Sequence, residues 1–188
     1  MAQTCFKKKI GIDIDDTCWN LIDPWLNIFN EWTNSEIIPE QILSWDIGSY
    51  VDPEYSKYLM NILFDKELWA VIQPIKDSQM YLKQLCEEYD VYIITASHWD
   101  NVPMKFKRFI ELYPFIDTKK IIVTCDKQVI NVALMVDDGS HNLIGGDYNK
   151  IIHTKPWNKS VNCVEYGILR ADNWEEIYKG IHTLLPTE

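Results

Sequence analysis

The chain is short of cations, of cysteine pairs and of long apolar runs. Its 18 Lys and Arg stand against 28 Asp and Glu, a net charge of −10. A polymeric nucleic-acid partner needs a basic surface, so the charge argues against that class. A small phosphorylated ligand needs only a local cluster of cations and one metal ion, and stays open. The five cysteines (Cys5, Cys18, Cys86, Cys125, Cys163) include no CxxC pair. Their odd number fits reduced thiols and speaks against a disulfide framework or a zinc site. No apolar run approaches the roughly 20 residues that span a bilayer. Met1 to Lys9 carries lysines with no apolar stretch behind them, so no secretory signal is expected. The expectation is a soluble, cytoplasmic protein with no membrane partner. Internal repeats and low-complexity segments are missing too.

Tryptophan is in surplus: there are eight in 188 residues, five of them before residue 70. That length suits one core domain with a modest insertion. The tryptophan bias marks the first third as different in composition from the rest.

The organising stretch is Ile10-Gly11-Ile12-Asp13-Ile14-Asp15-Asp16-Thr17. A short isoleucine-rich run reads as a buried strand and stops at acids. Open α/β sheets place their chemistry beyond the carboxyl ends of strands. Asp13 and Asp15, two apart, share a face in extended geometry. Two crowded carboxylates repel, and a divalent cation or a shared proton offsets that. A polar turn in which Asp16 or Thr17 caps the next helix is the alternative reading.

The first strand is expected over Lys8 to Asp13. Asp23-Pro24 then signals a helix start, followed by a stripe of Trp25, Ile28, Phe29 and Trp32. Asp52-Pro53 repeats the signal before Tyr55, Tyr58, Leu59 and Ile62, and Asp65 to Ala70 forms a short helix. No second strand is expected before Gln73-Pro74. Beyond it the rhythm is regular: a helix over Asp77 to Glu88, a strand over Val91 to Ile94, and a helix through Val102, Phe106, Phe109 and Tyr113. Strands follow at Lys120 to Val123, Ala133 to Val136 and Ile151 to His153. Asp172 with Glu175 is the expected capping box of a last helix. Alternating strands and helices imply a Rossmann-like α/β fold, a parallel sheet with helices on both faces and a small helical cap inserted after the first strand. Residues 1–17 and 74–188 make the core; 18–73 make the cap.

Four strand ends then carry polar groups in order: Asp13/Asp15, Thr95, Lys127 and Asp137/Asp138. One carboxylate attacks phosphorus, and a second moves the proton of the leaving oxygen and of water. A hydroxyl and an ammonium hold phosphate oxygens. The remaining acids suit Mg²⁺, a hard ion that takes oxygen ligands. Taken alone, Asp137-Asp138 before Gly139 could be only a turn, and Lys105, Lys107 and Arg108 compete with Lys127 as the cation.

The stretches IGIDIDDT, YIITAS, Lys127 and MVDDGS resemble the four motifs of the haloacid-dehalogenase-like phosphatase superfamily. VTCDKQVINVALMVDD, TASHWDNVPMKFKR and ADNWEEI are similar to stretches of the 5′(3′)-deoxyribonucleotidase family. The resemblance implies Asp13 as nucleophile and Asp15 as general acid/base. It implies that Thr95, Ala96 and Lys127 hold the phosphoryl group; independently of the resemblance, Arg108 is a further cation that could reach it from its helix. Mg²⁺ would be held by Asp13, Asp15 (through its backbone carbonyl), Asp137 and Asp138. Asp16 departs from the glycine common in the superfamily, and its side chain is expected to point away. Trp45 and Trp69 would face the substrate, since every nucleobase offers a π-face. His98 is read as a surface or supporting residue.

The expected activity is a nucleotidase, a Mg²⁺-dependent hydrolase of small deoxyribonucleotides; a homodimer is left open. A sugar phosphatase or phosphomutase is the nearest alternative. A phospho-accepting receiver domain has these residue types in the reverse order. A non-catalytic binding module on the fold would have no use for the intact acids.

Overall fold

A computed structural model describes residues 7–186. Cys5, with the rest of residues 1–6, lies outside these residues. Strand β1 (Lys9–Ile12) is the centre of the molecule. It is followed by a two-residue strand β2 (Trp19–Asn20), helices α1 (Ile22–Thr33), α2 (Ser56–Asn61) and α3 (Lys66–Val71), and a two-residue strand β3 (Gln73–Pro74). Then come α4 (Ser78–Glu88), β4 (Asp90–Thr95), α5 (Val102–Leu112), β5 (Ile121–Val123) and β6 (Leu134–Asp137). The chain closes with α6 (Ser140–Leu143), β7 (Asn149–His153), β8 (Ile168–Ala171) and α7 (Trp174–Leu184).

Six strands form one parallel sheet in the order β5-β4-β1-β6-β7-β8. The order runs outward from β1 in both directions, so the chain switches direction across the sheet beside β1. In such sheets a crevice opens there, at the carboxyl ends of the strands. Strand alternation divides the core. Ile10, Ile12, Val91, Ile93, Leu134, Val136 and Ile151 pack on the face covered by α4 and α7. Ile94, Met135, Ile152 and Ile168 pack on the other, against Leu143 of the short α6 and Val132 and Tyr148 from loops. Gly11 lies between them in β1, where an added Cβ would meet Ile94 Cδ1 at 2.6 Å and Met135 Sδ at 2.7 Å.

The strands β2 and β3, antiparallel with Trp19 opposite Pro74, form a stem where the helical insertion leaves and rejoins the sheet. This pairing corrects the expectation of no further strand before Gln73-Pro74. Two residues give no alternation to read. The insertion packs around Trp25, Leu26, Phe29, Leu59 and Leu68, and Trp25 Nε1 donates to the Leu59 carbonyl at 2.7 Å.

Other differences have local causes. Helix α1 begins at Ile22, ahead of Asp23-Pro24, because the Asp16 carboxylate accepts from the backbone N–H of Leu21 (3.1 Å) and Ile22 (3.2 Å). The cap comes from six residues upstream, beyond the window of a helix-start signal. Helix α2 begins at Ser56, a turn after Asp52-Pro53. The last helix is capped by Asn173, whose side chain accepts from Glu176 N at 3.0 Å; Glu176 Oε2 accepts in return from Asp172 N. The cap is thus one residue later than the Asp172–Glu175 reading, and Glu176 reaches back past it to Asp172. The sixth strand β8 was not anticipated: Leu169 and Arg170 are not buried, and four residues with two open positions carry little signal.

Candidate active site

The site forms where three neighbouring strands end. Asp13 follows β1, Thr95 ends β4 and Asp137 ends β6. Asp13 N donates to the Val136 carbonyl at 3.0 Å, which continues the ladder one step past the strand and fixes the acid above the sheet edge. Asp13, Asp137 and Asp138 are all buried, and one acceptor oxygen of each lies within 4.8 Å of the others.

Lys127 reaches this cluster from the loop after β5. It is 2% exposed, and its Nζ donates to Asp13 Oδ1 at 2.5 Å and Asp137 Oδ2 at 2.7 Å. Burial alone would push its ammonium pKa down, but Asp13 and Asp137 together outweigh that and hold it above its ordinary value. Asp137 is fully engaged: its Oδ1 accepts from Gly139 N (2.8 Å) and Asn142 Nδ2 (3.0 Å). Asp138 is not. Its Oδ2 accepts from Trp157 Nε1 at 2.8 Å, while its Oδ1 is buried with no hydrogen-bond partner. Burial, then the Asp137 charge, pushes the Asp138 carboxyl well above the usual carboxylate range. Burial likewise pushes Asp13 up to about 7, with Lys127 opposing the rise.

Asp15 has separate partners. Its Oδ2 accepts from Lys105 Nζ at 2.5 Å and its Oδ1 from Trp19 Nε1 at 2.8 Å. Lys105, 1% exposed, also donates to Thr95 Oγ1 (2.7 Å) and the Ala96 carbonyl (3.1 Å). The cation that α5 sends to the site is therefore Lys105 and not Arg108. Arg108 is placed elsewhere: it donates to the Ile72 carbonyl at 2.8 Å, pairs with Glu111 and does not line the cavity over the site. Lys105 has a signal in the sequence. It lies on the inward stripe of α5, four residues before Phe109, where an unpaired lysine is costly.

Asp16 corrects another expectation. Its side chain does not point away: it is buried, caps α1 as described, and sits on a left-handed backbone, φ +50°. Asparagine and aspartate tolerate this conformation better than other residues with a Cβ. Burial pushes its carboxyl up to about 7, and Lys155 opposes the shift. Lys155 and Trp157, which follow β7, had no place in the sequence reading, because nothing local marks their approach to acids some 20 residues or more upstream.

The donor set suits a divalent cation. Five acids (Asp13, Asp15, Asp16, Asp137, Asp138) face three lysines (Lys105, Lys127, Lys155), two more acids than cations. That surplus, the all-oxygen donors and the unpartnered Asp138 Oδ1 fit a hard divalent ion.

Asp15 and Asp16, though not Asp13, Asp137 or Asp138, line a cavity of about 650 Å³. Its floor includes Asp15, Asp16, Ala96 and Lys105; its walls include Trp25, Trp45 and Trp69 from the insertion, and Trp99 and Trp157 from the core. Trp69 is buried, 5.9 Å from Trp19 ring to ring, and donates to the Leu63 carbonyl. Trp45 is 51% exposed and packs on His141 (5.0 Å) and Trp157 (6.1 Å). His98 is open at the rim, edge-on to Phe64.

The sheet order, with acids beyond its central strands, is the haloacid-dehalogenase-like fold. A haloacid dehalogenase-like family hydrolase from Streptococcus pneumoniae superposes with a TM-score of 0.67 at 14% identity, over 93% of this chain and 98% of that one. A HAD-hydrolase from Bacillus subtilis, bound to magnesium in its structure, gives 0.59 at 17%, over 96% and 99%. Within this class the chain belongs to the family described as 5′ nucleotidase, deoxy (pyrimidine), cytosolic type C protein (NT5C), which matches residues 7–185. It is a nucleotidase, a phosphoric monoester hydrolase. The 5′(3′)-deoxyribonucleotidase of Bacillus subtilis (strain 168) is 31% identical over 173 residues, 91% of this chain and 96% of the relative. That of Clostridium acetobutylicum is 30% identical over 170 residues, 90% and 92%. No helix among the described residues is long and apolar enough to cross a membrane.

Proposed function

We propose that this protein is a cytoplasmic, Mg²⁺-dependent 5′(3′)-deoxyribonucleotidase that hydrolyses nucleoside monophosphates through an aspartyl-phosphate. The observation that carries the reading is the Asp13–Asp137–Asp138 cluster braced by Lys127, with Asp13 on the same loop as Asp15 and Asp16, which line an aromatic-walled cavity. The core comprises residues 1–17 and 74–188 and the cap residues 18–73.

Lys127 takes one oxygen of Asp13, Oδ1, and so leaves the other out of that bond. That oxygen attacks phosphorus, and an acyl phosphate forms on Asp13 as the nucleoside oxygen leaves. Asp15 gives the leaving oxygen its proton, then takes one from the water that hydrolyses the acyl phosphate. Lys105, held between Asp15 and Thr95, lies where it can hold a phosphate oxygen with Thr95 and the Ala96 backbone. Asp13, Asp137, Asp138 and the Asp15 carbonyl would hold Mg²⁺, directly or through water, and the ion when bound would offset phosphate charge and polarise phosphorus. Trp45 and Trp69 supply flat apolar surface to a nucleobase.

The test is phosphate release from a panel of deoxyribonucleoside 5′- and 3′-monophosphates, ribonucleotides and sugar phosphates with Mg²⁺, against an Asp13→Asn control. Deoxyribonucleotides are expected to turn over best. Turnover of sugar phosphates alone would move the substrate assignment, and no release above the control would remove the activity.

A further inference from the structure

The geometry points to Trp157 as a positioning residue for the metal site, one that ties the cation ligand Asp138 to the wall of the substrate cavity. The inference rests on the metal reading above and adds a residue to it. Trp157 sits in the turn Pro156–Asn158 after β7, and two neighbours in that turn grip Asp138 from opposite ends. Trp157 Nε1 donates to Asp138 Oδ2 at 2.8 Å, and Asn158 Nδ2 donates to the Asp138 backbone carbonyl at 2.9 Å. Asn158 is itself fixed: it donates to the His153 carbonyl at 2.8 Å and accepts from Arg170 Nη1 at 3.0 Å. The turn is thus anchored to β7 and β8, and the indole reaches Asp138 from a rigid base.

The consequence is a choice of oxygen. With Oδ2 committed to the indole N–H, the Asp138 carboxylate cannot swing freely, and the unpartnered Oδ1 is the atom offered to a cation. Without the indole N–H, both oxygens of a buried carboxylate stand unsatisfied, and the side chain turns toward whichever donor is nearest. Outer partners of metal-ligating carboxylates typically contribute 10- to 100-fold in metal affinity. The other side of the indole lines the cavity and meets Trp45. A ligand that presses on this wall therefore presses on the group that aims Asp138.

The test is the Mg²⁺ dissociation constant of Trp157→Phe by calorimetry, without substrate, beside wild type and Trp45→Ala. Phenylalanine keeps an aromatic ring and deletes the N–H. The expected result is affinity weakened about tenfold or more in Trp157→Phe and within about threefold of wild type in Trp45→Ala, which leaves the N–H in place. Turnover of Trp157→Phe should recover as Mg²⁺ is raised, a rescue that a merely structural role would not give. Mg²⁺ affinity in Trp157→Phe equal to wild type overturns the inference and leaves the metal reading intact; wild-type protein that binds no Mg²⁺ overturns both. Should Trp157→Phe not fold, Trp157→His retains a ring N–H. Near-native Mg²⁺ affinity there supports the inference, and a tenfold loss contradicts it.

Discussion

Asp13 and Asp15 are two residues apart, yet each has its own lysine: Lys127 on Asp13, Lys105 on Asp15. Separate partners let two like carboxylates take separate roles, because each is tuned by different neighbours. Asp13→Asn should lower phosphate release by at least ~10³-fold, since an amide is no nucleophile toward phosphorus. Lys105→Met should lower kcat/KM by about 10- to 100-fold, the worth of one hydrogen bond to a charged group. Arg108→Met, by contrast, should change it less than about threefold, because its guanidinium is engaged with the Ile72 carbonyl and Glu111. Steady-state kinetics on the three variants separates these outcomes. At this scale the sequence was legible where chemistry dictates residue type at a strand end. Asp13, Lys127, Asp137 and Asp138 do meet in space. It was not legible for Trp157 or Lys155, whose contacts depend on where β7 delivers its loop.

Among the elements, β1 bears the tightest constraint. It is hydrogen-bonded on both sides, to β4 and β6, and Gly11 lets Ile94 and Met135 close over it. Gly11→Ala should destabilise the fold by about 1–3 kcal/mol, the usual cost of overpacking a buried site, read as a lower urea midpoint. Helix α1 makes the second case. Asp16 supplies its cap from the loop that carries Asp13 and Asp15, so the first turn of the insertion is tied to that loop. Asp16→Ala loses the cap and keeps the left-handed backbone, whereas Asp16→Gly loses the cap and relieves the backbone. The alanine variant should therefore be less stable than the glycine variant, by about 1 kcal/mol in urea unfolding. Existence of the long elements was readable from apolar periodicity, as in α5 and α7. Starts were less readable: α1 is begun by a residue six positions away, and α7 by Asn173 rather than Asp172.

For the whole molecule, five acids against three lysines at one sheet edge give the site a demand for positive charge. That demand appears in the pH dependence. Asp13 and Asp16, with unperturbed values of 3.8, are each pushed up to about 7, chiefly by burial. Folding thus takes up protons on these groups. Their contribution to stability is full below about pH 4 and is lost as pH rises through about 7. Mg²⁺ competes with protons for Asp13, so it should raise the melting temperature more at about pH 8 than at about pH 6. An equal rise at both would show that these carboxyls are already ionised without the cation. The parallel sheet and the insertion were foreseeable from alternation and composition. The stem of β2 and β3 and the edge strand β8 were not, because two residues leave no period to detect and β8 leaves its central Leu169 and Arg170 unburied.

The most direct test of the central claim is to trap the covalent intermediate. The protein is mixed with Mg²⁺ and a deoxyribonucleoside monophosphate, quenched in acid within one turnover and mapped by mass spectrometry. One phosphoryl group on the peptide that carries Asp13, lost in Asp13→Asn, is the predicted result. Phosphate released with no label on Asp13, or a label on another residue, would contradict the account.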